Sequence, residues 1–198
     1  MGLLYTDGNI NKEKNKITLS LADKDVIEKL YPLFSDIEKR KIYIFNDKNE
    51  NHSQMYTIIN TNKDAINELL NLGITEHKSL TIEFPNIIQQ DNLLSFIRGV
   101  FDGDGSVYTQ ITRQNGKEYK YINISFTTGS IKFAKGLIEN LKDLNIHSTL
   151  FADKRSCKKN TTYYVYIRKK DSVKKFVNLI YAHDNICINR KKLKCLKI

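Results

Sequence analysis

Two patterns of hydrophobic and polar positions recur along the chain, and they follow the same order in each half. Apolar residues alternate with polar ones in residues 17–21 and again in 122–126, which is typical of strands with one buried face. In residues 26–34 the apolar positions fall three and four apart, which is typical of an amphipathic helix. The chain is therefore predicted to contain two copies of one mixed α and β unit of about 100 residues.

Turn and cap residues set the borders of the predicted elements. Ser130 is placed to cap a helix, and Asn115-Gly116 to form a hairpin turn. Pro85 marks the joint between the halves, because proline disfavours a helix at the preceding residue and often starts the next one. The first half is predicted to contain a helix end before residue 8, strands at 9–11, 16–21, 41–45 and 54–60, and helices at 26–34 and 64–72. The second half is predicted to contain helices at 93–101, 131–144 and 171–181, and strands at 106–112, 119–127, 147–153 and 163–168.

The apolar run at residues 93–101 stops at two acids, Asp102 and Asp104, that alternate with glycines. Gly105 suits the left-handed position that ends many helices. The acids then lie at a helix C-terminus, where the helix dipole favours cations over anions. A carboxylate at that place needs a nearby cation, and a divalent metal ion is an obvious candidate.

The same motif occurs at the start of the chain. GLLYTDG at residues 2–8 aligns with GVFDGDG at residues 99–105, so that Asp7 matches Asp104. Tyr5 stands opposite Asp102, and we therefore expect Asp102 to cap or support the site without binding metal. In the alternative interpretation, each aspartate is only a turn residue at a helix end.

Composition and charge limit the classes of function. The chain has 198 residues, a formal net charge of +10 and a pI near 9.4. A lysine-rich composition bias explains such a charge, and so does a polyanionic partner such as nucleic acid. The sequence lacks an apolar run approaching the roughly 20 residues that cross a bilayer, and it lacks a recognisable secretion signal. Its three cysteines are expected to be reduced thiols, so we expect a cytoplasmic (nucleoid) or organellar matrix protein that is not secreted.

The two motifs, GLLYTDG and FIRGVFDGDG, and the repeated αββαββα order resemble the single-chain, two-motif form of the LAGLIDADG homing endonucleases. The resemblance implies an α+β monomer with pseudo-twofold symmetry, in which each repeat is a four-stranded antiparallel sheet with helices on one face. The repeats would span residues 1–84 and 85–198. The first motif helix is expected to be truncated, because Met1 falls almost on its glycine.

In that family the two motif helices pack side by side, and small residues such as Gly2 and Gly99 permit the contact. The implied activity is a metal-dependent double-strand break at one site in a long DNA target. The implied catalytic residues are Asp7, Asp104, Lys78 and Lys191. Mg²⁺ or another divalent cation would be bound by Asp7, Asp104, Gly8 and Gly105. The DNA-binding candidates on the hairpins, strand faces and basic tail are Asn9, Asn11, Lys12, Lys14, Lys16, Thr109, Gln110, Thr112, Arg113, Gln114, Lys117, Lys120 and Arg190.

Two other functions remain open at the level of sequence. One is a DNA-binding relative that keeps the fold without cutting, and the other is an intron RNA maturase, in keeping with an intron-encoded protein. The presence of both Asp7 and Asp104 favours cutting, because a pure binder has no use for paired acids that face a phosphate backbone.

Overall fold

The fold consists of two four-stranded antiparallel sheets, each covered by helices on one face. A computed structural model describes residues 1–34, 41–45, 53–86, 88–154, 159–182 and 186–196. The strand order is β1-β2-β4-β3 in the first sheet and β5-β6-β8-β7 in the second. The two orders are equivalent, which confirms the predicted tandem repeat and its fold class.

The first half contains α1 (Gly2–Thr6), β1 (Gly8–Asn11), β2 (Lys16–Leu21), α2 (Lys24–Phe34), β3 (Tyr43–Phe45), β4 (Met55–Asn60) and α3 (Lys63–Asn71). The second half contains α4 (Gln90–Asp104), β5 (Gly105–Gln114), β6 (Lys117–Thr128), α5 (Ile131–Asp143), β7 (Thr149–Asp153), β8 (Thr162–Ile167) and α6 (Lys170–Ile180). Two short helices come as additions to the prediction: a 3₁₀ turn at Lys78–Leu80 and α7 at Asn189–Cys195.

Local sequence signals explain several borders. The Ser130 side chain accepts a hydrogen bond from the backbone N–H of Phe133 at 3.3 Å, as the predicted cap of α5 should. Asn115 and Gly116 both have positive φ, 51° and 76°, which matches the tight hairpin turn between β5 and β6. In the described part of the chain, every helix is too short or too polar to cross a membrane.

The prediction for Gly105 was wrong. Its φ of −82° and ψ of 153° are extended, and it is the first residue of β5 directly after α4. A glycine is needed there for space, because an added Cβ would lie 2.4 Å from the carbonyl oxygen of Phe101. The helix accordingly continues to Asp104, three residues beyond the predicted end.

Helices α1 and α4 pack with their backbones in contact, as the small residues of both motifs predict. A Cβ added at Gly99 would lie 2.9 Å from the Cα of Gly2 and 2.9 Å from the amide nitrogen of Leu3. A Cβ added at Gly2 would lie 2.2 Å from the carbonyl oxygen of Phe96. Because backbone atoms cannot rotate away, only glycine fits at this crossing, and the crossing brings the two motif ends together.

We expect Gly99→Ala to destabilise the protein by about 1–2 kcal/mol, because overpacking outweighs the gain in helix propensity. Chemical denaturation at fixed pH measures this loss. Ser95→Ala is the matched control, since Ser95 is exposed on the same helix and the change should be neutral or slightly stabilising. Equal stability of the Gly99 and Ser95 variants would contradict the tight crossing.

The core of each half also includes a residue from the other half. That residue comes from the segment that follows α3 or α6. Ile188, which follows α6, belongs to the core cluster of Leu19, Leu21 and Ile58 in the first half. Phe84, which follows α3, packs against Phe133 of the second half with ring centroids 5.6 Å apart. The halves therefore share their hydrophobic cores across the α1–α4 crossing, and this sharing fixes how the two motif ends face each other.

Candidate active site

The structure brings Asp7 and Asp104 together where α1 and α4 end. Asp7 caps α1, with its backbone N–H bonded to the Leu3 carbonyl at 2.9 Å, and Asp104 is the last residue of α4. The Oδ2 atom of Asp7 lies only 2.5 Å from the position that a Cβ at Gly103 would occupy. Thr6 donates its hydroxyl to the same Oδ2 atom at 2.8 Å. Both carboxylates are exposed, so they form one acidic pair on the surface.

The charges of this pair act on each other. The protein around Asp104 reduces its hydration, and together with the repulsion from Asp7 this raises the pKa of Asp104 to about 6. Lys191 and Lys78 act in the opposite direction and lower that pKa. Asp104 also lines a recess of about 270 Å³ together with Thr6, Lys78 and Thr128. The two carboxylates therefore repel each other, and the positive charges that offset this repulsion come from Lys191 and Lys78.

A buried lysine ammonium lies next to the end of each motif. The Lys191 Nζ donates to the carbonyl oxygens of Phe101 at 2.9 Å, Gly103 at 3.0 Å and Gly105 at 2.6 Å, and also to that of Asp102. Its equivalent in the first half is Lys78, which donates to the carbonyl of Gly8. Lys191 therefore places a positive charge at the C-terminus of α4, where the helix dipole favours a cation.

This placement defines what the lysines do in the folded chain. An ammonium group has three protons, and those of Lys191 are shared among four backbone carbonyls. Burial lowers the pKa of both Lys78 and Lys191, while the nearby carboxylates raise it. Lys78 holds the carbonyl of Gly8, which follows Asp7, and Lys191 holds the carbonyl of Gly105, which follows Asp104. Their direct catalytic role, and metal binding by those two carbonyls, stay predictions.

Asp102 lies beneath the site and faces away from the acidic pair. Its carboxylate is buried and accepts hydrogen bonds from the Ile188 backbone N–H at 3.0 Å and from the Tyr181 hydroxyl at 3.4 Å. Burial raises the pKa of Asp102 to about 6. Asp102 thus attaches the segment that leads into α7, and α7 carries Lys191. This is a supporting position of the kind that the absence of an acid at Tyr5 suggested.

Arg190 is directed away from the acidic pair. Its guanidinium forms two hydrogen bonds with the carboxylate of Asp23, at 2.8 and 2.9 Å, and Asn189 donates to Asp25 at 2.6 Å. These contacts fasten the start of α7 to the start of α2 in the first half. This pairing could not be predicted from the sequence, because the partners are far apart along the chain. DNA binding by Arg190 stays a prediction.

The strand register divides the other DNA-binding candidates between two faces. We call the sheet face opposite the helices the outer face. Asn9, Asn11 and Lys16 lie on the outer face of the first sheet, and Lys12 and Lys14 lie in the turn between β1 and β2. Gln110, Thr112, Gln114 and Lys117 lie on the outer face of the second sheet. Thr109, Arg113 and Lys120 lie on the opposite face, where Glu118 pairs with both Arg113 and Lys120 at 3.6 Å.

Residues 91–181 match the family model of the LAGLIDADG-like domain. This span begins in α4 and contains the second motif, while the first motif and its sheet repeat the same architecture. The second half of the chain is a LAGLIDADG-like domain, and the first half repeats its fold.

The proteins that this chain resembles carry different names. An uncharacterized protein of Methanocaldococcus jannaschii is 26% identical over 82% of this chain and 57% of its own length. Probable cell division protein WhiA of Clostridium acetobutylicum is 24% identical over 93% of this chain and 56% of its own length. The solved LAGLIDADG meganuclease I-AabMI, bound to uncleaved DNA, has a TM-score of 0.59 at 14% identity and covers 98% of this chain and 86% of that one. The chain thus spans little more than half the length of these two curated relatives.

The raised pKa of Asp104 predicts how the stability of this protein depends on pH. A carboxyl group whose folded pKa exceeds its unfolded value of 3.8 binds its proton more tightly when folded, so its contribution to stability is lost as pH rises to about 6. Without metal, Asp104→Asn should therefore raise the free energy of unfolding at pH 7.5, and the gain should shrink as pH falls toward 4. Thermal unfolding across that range measures the gain, and Asp91→Asn on the exposed start of α4 is the control. A gain that does not change with pH would contradict the assignment.

Proposed function

We propose that this chain is a site-specific DNA endonuclease that makes a divalent-cation-dependent double-strand break. The observation that carries the proposal is the exposed pair of Asp7 and Asp104, one from each repeat, at the ends of two helices in backbone contact. A DNA duplex has two antiparallel strands related by twofold symmetry. Two acids related by a pseudo-twofold axis match this symmetry, with one acid next to each DNA strand.

The donor set suits Mg²⁺ or a similar hard cation. Among the described residues, acids, histidines and cysteines do not form clusters of three or more that could hold a metal alone. Two carboxylates need further oxygen ligands, and Mg²⁺ commonly completes its shell with water and substrate phosphates. Asp7 and Asp104 would hold the ion. When bound, such an ion lowers the pKa of a coordinated water and neutralises charge that develops on the phosphate.

The surrounding residues position this pair. Thr6 holds the Oδ2 atom of Asp7, so that the carboxylate is oriented before substrate arrives. Lys78 and Lys191 hold the peptides of Gly8 and Gly105 from below, and their charges draw the anionic backbone toward the site. Each lysine therefore contributes in two ways. It holds a backbone carbonyl in place, and its buried ammonium provides a positive charge at a fixed position.

The outer faces of both sheets are the proposed DNA-binding surface. Asn9 and Asn11 carry amides, which suit adenine edges, and Lys16 suits phosphate or guanine. Gln110 and Gln114 carry amides on the second sheet, at positions further along its hairpin. The net charge of +10 adds a sequence-independent attraction to the phosphate backbone.

A second candidate function is DNA binding without cutting. The likeness to WhiA over 93% of this chain favours it, because that relative is named for cell division and not for cleavage. In this alternative the two sheets bind a duplex, and the acidic pair is a remnant of an ancestral nuclease.

Incubation of the protein with a pool of randomised DNA duplexes separates the two functions. With Mg²⁺ we expect paired cuts on both strands of a rare sequence, detected by sequencing the new ends. The same pool with EDTA should yield bound but intact duplexes. Enrichment of bound duplexes without cuts in Mg²⁺, Mn²⁺ or Ca²⁺ would overturn the nuclease proposal in favour of the binding protein.

A further inference from the structure

The outer faces of the two sheets differ in how many aromatic side chains they carry: the first has Tyr43 and Phe45, both on its edge strand β3. Tyrosine and phenylalanine dominate the second face, which carries Tyr108, Tyr119, Tyr121, Phe151, Tyr164 and Tyr166. The strand registers allow a position-by-position comparison, because Gly8 and Gly105 begin equivalent strands. Where the second sheet has Tyr108, the first has Asn11, and where it has Tyr164 and Tyr166, the first has Thr57 and Ile59.

The aromatic rings on this face stand in a ladder. Tyr164 and Tyr166 stack with centroids 5.8 Å apart and planes 9° apart, and Phe151 lies 6.3 Å from Tyr164. The guanidinium of Arg168 covers the next ring face, with its Cζ 4.0 Å from the centre of Tyr166. Both faces of Tyr166 are therefore occupied within the protein.

This packing decides which part of a ligand the ladder can contact. Unpaired bases bind proteins by stacking on free aromatic faces, and Tyr166 offers none. Within the stack, Tyr166 can therefore offer a ligand only its ring edge and its hydroxyl group. A row of such edges is apolar along its sides and polar at its tips, which fits the floor of a major groove better than a single strand.

We propose that the second sheet reads its half of the target through contacts of tyrosine edges with thymine methyl groups, while the first sheet reads its half through amides and Lys16. This inference rests on the proposed DNA-binding function and deepens it. Among bases seen in the major groove, thymine presents a methyl group, and apolar side chains recognise it. The half-site under the second sheet is accordingly rich in A·T pairs at the positions beneath Tyr108, Tyr164 and Tyr166.

The charges around the tyrosines agree with a DNA duplex as the ligand. Lys117 at the end of the hairpin and Arg168 at the end of the ladder are basic residues that suit contacts with phosphate groups. In the middle, Asn123 is buried on the same face and donates to Gln110 at 3.1 Å. The centre of the surface is thus uncharged and aromatic, and its ends are basic.

The test begins with binding selection from a randomised duplex pool in EDTA. The selected duplex is then resynthesised with deoxyuridine in place of thymidine, one half-site at a time. Deoxyuridine lacks the methyl group and keeps every hydrogen-bonding atom. We expect affinity for the duplex changed under the second sheet to fall about fourfold per methyl contacted, and affinity for the other duplex to change little.

A matched variant assigns the effect to the ladder. Tyr164→Thr combined with Tyr166→Ile introduces the residues that the first sheet carries at the equivalent positions, so the strand should still fold. This variant should lose the sensitivity to deoxyuridine in one half-site only, and that loss shows which half-site the second sheet contacts. Tyr108→Asn, which copies Asn11, serves as an independent variant if the double variant fails to fold.

The possible failures are distinguishable. If neither duplex nor single strands are enriched, the proposed DNA-binding function itself fails. If a duplex is enriched but deoxyuridine has no effect in either half-site, or the tyrosine variants keep the full effect, the inference about thymine is overturned. Tighter binding to a single-stranded pool than to the duplex pool would overturn it in favour of base stacking.

Discussion

Asp104→Asn is expected to reduce Mg²⁺-dependent cleavage by about 10³-fold or more while DNA binding is retained. Asparagine has nearly the same shape as aspartate but lacks the charge that holds a divalent cation. Metal assistance to phosphodiester cleavage contributes several kcal/mol, and each 1.36 kcal/mol corresponds to a factor of ten. Affinity for the duplex in EDTA should stay equal or rise, since a negative charge beside the phosphates has been removed.

Cleavage rates under single-turnover conditions and binding measured by fluorescence anisotropy provide the two readouts. The control is Asp91→Asn, which makes the same chemical change at the exposed start of the same helix and should leave both values unchanged. Asp7→Asn should behave like Asp104→Asn, because the two acids occupy equivalent positions. Cleavage at the wild-type rate by either motif variant would show that the acidic pair is not the catalytic centre.

Lys191→Met is expected to destabilise the folded protein by about 3 kcal/mol, lowering its melting temperature by about 10 °C. Methionine fills most of the volume of the lysine side chain but donates no hydrogen bond. The carbonyls of Phe101, Gly103 and Gly105 would then lose a charged donor at the C-terminal end of α4. A buried carbonyl without a partner carries the full cost of its desolvation.

Lys194→Met is the control for this change. Lys194 lies on the same helix, α7, with an exposed side chain, so the same loss of charge should alter stability by only a few tenths of a kcal/mol. Lys78→Met should give a smaller loss than Lys191→Met, since the described contact of Lys78 is with one carbonyl, that of Gly8. If Lys191→Met were as stable as Lys194→Met, the lysine would not be a structural cap.

Local sequence patterns predicted the elements well because they report local physics. The alternation at residues 17–21 predicted β2 with its observed bounds, and the pair Asn115-Gly116 predicted the hairpin turn. The glycines of the two motifs predicted the close crossing of α1 and α4, since a missing Cβ leaves a visible mark in the sequence. The internal repeat then predicted that Asp7 and Asp104 would meet.

Contacts between distant segments were outside the reach of such patterns. Lys191 reaches the end of α4 from a helix almost 90 positions later, and Arg190 reaches Asp23 across an even longer span. The sequence therefore indicated basic residues but not their partners. Gly105 was misjudged because a helix-ending glycine and a glycine required for space look identical in a sequence. The tyrosine ladder was available in principle, since counting by twos from Ser106 places Tyr108 on the outer face, and the same count places Tyr164 and Tyr166 together.

The central claim is that Asp7 and Asp104, supplied by different repeats, jointly hold a divalent cation beside bound DNA. Electron paramagnetic resonance of Mn²⁺ tests it directly, with the full chain bound to its selected duplex at pH 7.5, which is above the raised pKa of Asp104. The wild type should withdraw Mn²⁺ from solution, and Asp7→Asn and Asp104→Asn should each abolish that binding without releasing the duplex. Unchanged Mn²⁺ binding in both single variants would contradict the claim.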